Sequence, residues 1–119
     1  MGGAVMCTQN EVRSIINQLS ESINRLFPQN HPDVILFGSY ARNDEGEDSD
    51  IDVLYLVDAT RQQIADRNWQ VGEAAANLLL EHNIVVSPIV ENRNYFHAHS
   101  YLPFFKNIQR EGVRIGAGP

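Results

Sequence analysis

Residues 51–57 read Ile-Asp-Val-Leu-Tyr-Leu-Val, and no other stretch limits the fold so strongly. Strand-favouring residues dominate it, so it is expected to form a buried strand, with Asp58 and Thr60 at its exit. A buried strand needs partners. Residues 34–37 form a short apolar run of β type, and residues 84–90 form another, in which Pro88 marks an edge position or a bulge. Helical patterns separate these runs. Thr8 and Glu11 make a T-x-x-E capping box ahead of Val12, Ile15, Ile16, Leu19, Ile23 and Leu26, with Pro28 and Pro32 as stops. Thr60 and Gln63 repeat the box ahead of Ile64, Val71, Ala75, Leu78 and Leu79, a stripe that runs to about His82. Leu102, Phe105 and Ile108 predict a further helix, with Pro103 near its start and Gly112 in the C′ place, and residues 113–115 add a short strand. This order of elements predicts an α/β (α+β) fold, a small mixed sheet flanked by helices.

The chain of 119 residues shows no repeat, low-complexity stretch or linker, and is expected to be one domain spanning residues 1–119. Its 43% hydrophobic content supports a compact core. No apolar run approaches the ~20 residues that span a bilayer, and the Met-Gly-Gly-Ala-Val-Met-Cys start lacks a basic n-region, so the expectation is a cytoplasmic protein with no membrane contact. Cys7 is the only cysteine, which excludes an internal disulfide and a cysteine-rich zinc site. The net charge of −6 and nine scattered basic residues argue against a surface that grips nucleic acid.

Seven of the fifteen acidic residues fall between Asp44 and Asp58. Asp44, Glu45, Glu47 and Asp48 read as a solvated connection. Asp50 and Asp52 differ, because they head the apolar run and alternation carries their face on into Leu54 and Leu56. On an extended chain their Cα atoms lie about 6.6 Å apart, so each charge raises the other's pKa unless a cation offsets the pair. Magnesium suits such a pair, since it is held by one or two carboxylates together with substrate phosphates. Gly38 and Ser39 sit at the mouth of the preceding strand where a helix turn opens. There free N–H groups attract anions, glycine permits close backbone approach, and the serine hydroxyl can donate to a phosphate. An EF-hand register fails, as it would put Ala41 at its first ligand position and Asp52 at its twelfth.

Gly38-Ser39-Tyr40-Ala41-Arg42, a short loop, and Ser49-Asp50-Ile51-Asp52 before an apolar strand resemble the two-part motif of the minimal nucleotidyltransferases of the DNA polymerase β superfamily. The motif covers about 20 residues, and the order of helices and strands extends the likeness loosely over the chain. The resemblance implies that Gly38, Ser39, Arg42 and Ser49 contact ATP or another nucleoside triphosphate. It implies that Asp50 and Asp52 are catalytic and ligate two Mg²⁺ ions, with a nucleoside monophosphate transferred and pyrophosphate leaving. Arg42 could instead pair with the acidic loop. Asn43 stands where the family often has glycine, a mild change because asparagine tolerates left-handed backbone. A third carboxylate on a later strand is common in the superfamily. Here Ser87 takes the central place, and Glu91 shares its face about 13 Å further along.

The resemblance also suggests an antitoxin of HEPN/MNT type that transfers AMP to a HEPN-type protein partner. The competing reading is a catalytically weak module that binds a nucleotide or a partner, which Ser87 favours. Modification of an aminoglycoside-like molecule would need an acceptor pocket that the sequence does not reveal. His97 and His99 lack a third ligand and read as exposed loop residues. Trp69, Tyr95, Phe96, Tyr101, Phe104 and Phe105 read mostly as core or partner interface.

Overall fold

A computed structural model of the protein describes residues 8–28, 33–46 and 48–115. Cys7, Pro32 and Glu47 lie outside these residues, and so does the expectation for the N-terminal stretch before Thr8.

Helix α1, Gln9–Leu26, starts at the expected capping box, with Thr8 accepting from the Glu11 N–H and Glu11 Oε1 accepting from the Thr8 N–H at 2.7 Å. Strand β1, Asp33–Phe37, leads into the four-residue helix α2, Ser39–Arg42, and strand β2, Ile51–Val57, follows the acidic loop. Helix α3, Arg61–His82, begins at the second capping box, in which Thr60 and Gln63 exchange the same bonds. Strand β3, Val86–Asn92, then precedes a short helix α4, Arg93–Ala98, helix α5, Pro103–Glu111, and strand β4, Val113–Arg114.

The four strands form one mixed sheet in the order β3-β2-β1-β4. β2 runs parallel to β3 and antiparallel to β1, and β1 runs antiparallel to β4. Central β2 has Ile51, Val53, Tyr55 and Val57 in one hydrophobic cluster with α1, α3 and Val86. Its Leu54 and Leu56 join Ile35, Phe96, Phe105 and Ile108 in a second cluster beneath α4 and α5. Strand residues alternate faces, so one strand buries into both layers, as its unbroken apolar composition requires. Asp52 belongs by alternation to the face of Leu54 and Leu56, at the end of the strand where that cover stops.

Two expectations about Pro88 are resolved together. β3 is an edge strand, and its register with β2 runs without a bulge from Ile51↔Val86 to Val57↔Asn92. An edge tolerates the missing N–H of proline. Gly112 is the C-cap of α5 rather than its C′ residue, with φ −70°, outside the left-handed region. The requirement for glycine is steric: a Cβ there would lie 2.5 Å from the Ile108 carbonyl oxygen and from Ile35 Cγ2.

Helix α4 is an addition to the sequence reading. Asn92 caps it, with the side-chain oxygen accepting from the Tyr95 N–H at 2.8 Å. His97 is therefore a helix residue, while His99 stands in the turn that follows. His97 is exposed on α4, whereas His99 caps its C-terminus, stacks on Tyr95 at 3.9 Å and bonds the Tyr95 carbonyl oxygen through Nδ1. The aromatics also divide. Phe96 and Phe105 are core, but Trp69 is 67% exposed and Tyr101 70% exposed.

Candidate active site

Strand β1 ends at Phe37, directly opposite Asp52 of β2, and the chain then bends at Gly38 with φ 75° and ψ −158°. L-residues with a side chain rarely enter that region. The bend folds the backbone against the aspartate: a Cβ on Gly38 would stand 2.3 Å from Asp52 Oδ2 and 3.1 Å from its Cγ. The glycine expected for phosphate contact is thus needed already for contact with the carboxylate. Ser39 opens α2 and is half-buried, and its carbonyl oxygen accepts from the Asn43 and Asp44 N–H groups. Asn43 caps α2 in left-handed conformation at φ 62°, the geometry for which asparagine stands in for glycine.

Asp50 lies just before β2, and the adjoining Ile51 N–H donates to the Val85 carbonyl oxygen at 2.9 Å. Both aspartates are half-buried. Burial pushes the Asp52 carboxyl up from its ordinary value, the Asp50 charge pushes the same way, and the Arg42 charge opposes them. The carboxylate pair is therefore held close and partly dehydrated, with one positive side chain near it.

Ser49 has a structural employment. Its Oγ accepts from the Gly46 N–H at 2.8 Å, and its own N–H donates to the Gly46 carbonyl oxygen at 3.1 Å, closing the loop that delivers Asp50. Arg42 is exposed and pairs with Asp44 at 3.1 Å and with Glu111 of α5 at 3.3 Å. The first partner is the acidic-loop alternative raised from sequence. The second lies 69 positions away, and no local pattern could have announced it.

On the other flank of Asp52 stands Ser87, its register partner on β3. Glu91 is not brought to the site. It pairs with Leu56 at the far end of the ladder, is buried to 8% exposure, and accepts from Arg61 Nε at 3.2 Å and from the Asn92 N–H at 2.7 Å. Its alternation was read correctly, but three residues of strand separate it from Ser87. Among the described residues no cluster of three metal-binding side chains forms.

A profile of the nucleotidyltransferase domain family matches residues 16–113. The chain belongs to this family.

Two proteins of Methanocaldococcus jannaschii are similar to this nucleotidyltransferase domain, both provisionally named protein adenylyltransferases. MJ0604 is 37% identical over 66% of this chain and 72% of its own length. MJ0141 is 35% identical over 88% of this chain and 99% of its own length. In fold, the domain resembles a chain of a crystal structure described as a toxin-antitoxin with AMP-PNP, with a TM-score of 0.59 and 22% identity over 89% of this chain and 73% of that one. The minimal nucleotidyltransferase resemblance carried by the two-part motif, and the mixed sheet flanked by helices, are both borne out.

The family's divalent ion fits the donor set of this nucleotidyltransferase domain. Two adjacent carboxylates, one with a raised proton affinity, present oxygen ligands whose mutual repulsion a cation would remove. Magnesium accepts such an incomplete set because substrate phosphates and water complete its shell.

Proposed function

We propose that this nucleotidyltransferase domain transfers AMP from ATP to an acceptor on another protein. The observation that carries the reading is the Gly38 backbone lying against the Asp52 carboxylate, which joins the anion cradle and the acidic pair in one site. Ser39 and the Gly38 backbone would hold the triphosphate, while Asp50 and Asp52 would hold two Mg²⁺ ions. Magnesium, when bound, offsets charge on the attacking and leaving oxygens. The acceptor hydroxyl oxygen forms a bond to the α-phosphorus as the bond from that phosphorus to the bridging oxygen breaks. Pyrophosphate leaves and the hydroxyl proton is released to water. Arg42 can reach phosphate by exchanging an exposed carboxylate partner, a small loss given the worth of surface ion pairs. Ser49 contributes by holding the loop in place.

The protein acceptor is supported by the names of the two relatives, and a toxin partner by the structural neighbour. A HEPN-type toxin, with this chain acting as a single-domain antitoxin in the cytoplasm, is the most specific form of the reading. No described helix is long and apolar enough to cross a membrane. The test is intact-mass measurement after the chain, its candidate partner, ATP and Mg²⁺ are incubated together. One or more AMP additions to the partner, lost in Asp52→Asn, are expected. Ser87 beside Asp52 favours a second reading, a weak or inactive nucleotide-binding module that acts by occupying its partner. Binding of ATP with no mass gain on either chain would select it.

A further inference from the structure

Beside Gly38, between β1 and α5, lies a pocket of about 190 Å³ to which nothing above assigns a role. Its aromatic wall is Phe37 and Phe104, which meet edge to face with centroids 5.9 Å apart. Ile108 and Gly38 also line it, the Arg42–Glu111 ion pair borders it, and Asn107 contributes a carboxamide. We propose that this pocket receives the base of the nucleoside triphosphate, an inference that rests on the nucleotide reading of Gly38, Ser39, Asp50 and Asp52.

Position is the first argument. Phe37 is the cross-strand partner of Asp52, and such partners share a face with Cβ atoms ~5 Å apart. A base against Phe37 and Phe104 would therefore leave its own phosphates within reach of the Gly38 bend and the aspartates. Size is the second argument, because pockets that take whole drug-sized ligands measure ~300–1,000 Å³. A volume of about 190 Å³ suits one flat ring system and leaves ribose and phosphates outside, on the side of the acidic pair.

Chemistry is the third. Phe104 is 48% exposed although it sits on a helix that packs its neighbours Phe105 and Ile108 into the core. An aromatic held at a pocket wall with one side uncovered offers a stacking surface, and base stacking on such rings accepts any base. Selectivity falls to Asn107. Arg110 Nη2 donates to Asn107 Oδ1 at 3.0 Å, which orients the carboxamide and leaves its amide nitrogen as a donor for a ring-nitrogen acceptor such as purine N7. The pairing of Arg42 with Glu111 cancels charge at the rim, which suits an uncharged base better than a phosphate.

Isothermal titration with Mg²⁺·ATP and, separately, Mg²⁺·tripolyphosphate tests the pocket in wild type, Phe104→Ala and Phe104→Tyr. The expected result is that Phe104→Ala weakens ATP about five- to a hundredfold, the range of one lost stacking contact, and leaves tripolyphosphate unchanged. Phe104→Tyr should restore wild-type affinity. Thermal melts establish that the variants fold. Unchanged ATP affinity in Phe104→Ala overturns the pocket while the nucleotide site stands, and so does equal weakening of both ligands. Wild-type protein that binds neither ligand overturns the nucleotide reading and the pocket with it.

Discussion

At the scale of single residues, Gly38 and Asp52 define each other. Gly38→Ala introduces a Cβ 2.3 Å from Asp52 Oδ2 at a φ of 75°, so backbone strain and a steric clash act together. We expect a loss of about 1–3 kcal/mol in urea unfolding and no measurable ATP binding by titration calorimetry. Asp52 has the opposite relation to stability. Its carboxyl takes up a proton more readily in the folded chain than at its ordinary value of 3.8, chiefly through burial. A group with a raised folded-state pKa supports folding fully below its unfolded value. That support is lost as pH climbs through the raised one. Asp52→Asn cannot ionise, so its melting temperature should exceed that of wild type near pH ~7, while transfer is abolished. The two curves should converge as pH falls below about 3.8, the ordinary carboxyl value. A wild type that melts at or above the variant near neutrality would contradict the assigned environment.

At the scale of elements, capping and alternation made most of the architecture legible. Thr60 and Gln63 bond as their spacing required, and Thr60→Ala should cost about 1 kcal/mol in urea unfolding while leaving ATP affinity intact. The run 51–57 became the central strand with unchanged ends, because its composition fits only a position buried on both sides. Helix α4 escaped notice because it has six residues and a single asparagine cap, too little for a periodic stripe. The same brevity made His97 look like a loop residue. Gly38, Ser39, Asp50 and Asp52 could be singled out from their residue types and placement, and Arg42 and Ser49 from the family resemblance, since the two halves of the motif flank α2 and the acidic loop between adjacent strands. What their side chains bond to could not. Arg42 meets Glu111, and Ser49 turns back on Gly46, through contacts decided by how α5 and the acidic loop settle.

At the scale of the whole molecule, charge ties distant parts together. Asp33 at the start of β1 accepts from Arg93 of α4 and from Arg114 of β4, and Arg93 also pairs with Asp58 after β2. Asp33→Asn should lower stability by about 1 kcal/mol, because Arg93 and Arg114 lose the charge they share while Arg93 keeps Asp58, with nucleotide affinity unaltered. A melt indistinguishable from wild type would show the network to be ornamental. The edge position of Pro88 has a consequence of another kind. Asp52 lies one strand in from the border of the sheet, and exposed borders invite extended segments from other chains to zip on. A residue without an N–H at the middle of that border leaves a gap in any such zipper. A protein docking on this flank must therefore grip it with side chains, and stray copies of the chain are discouraged from stacking there.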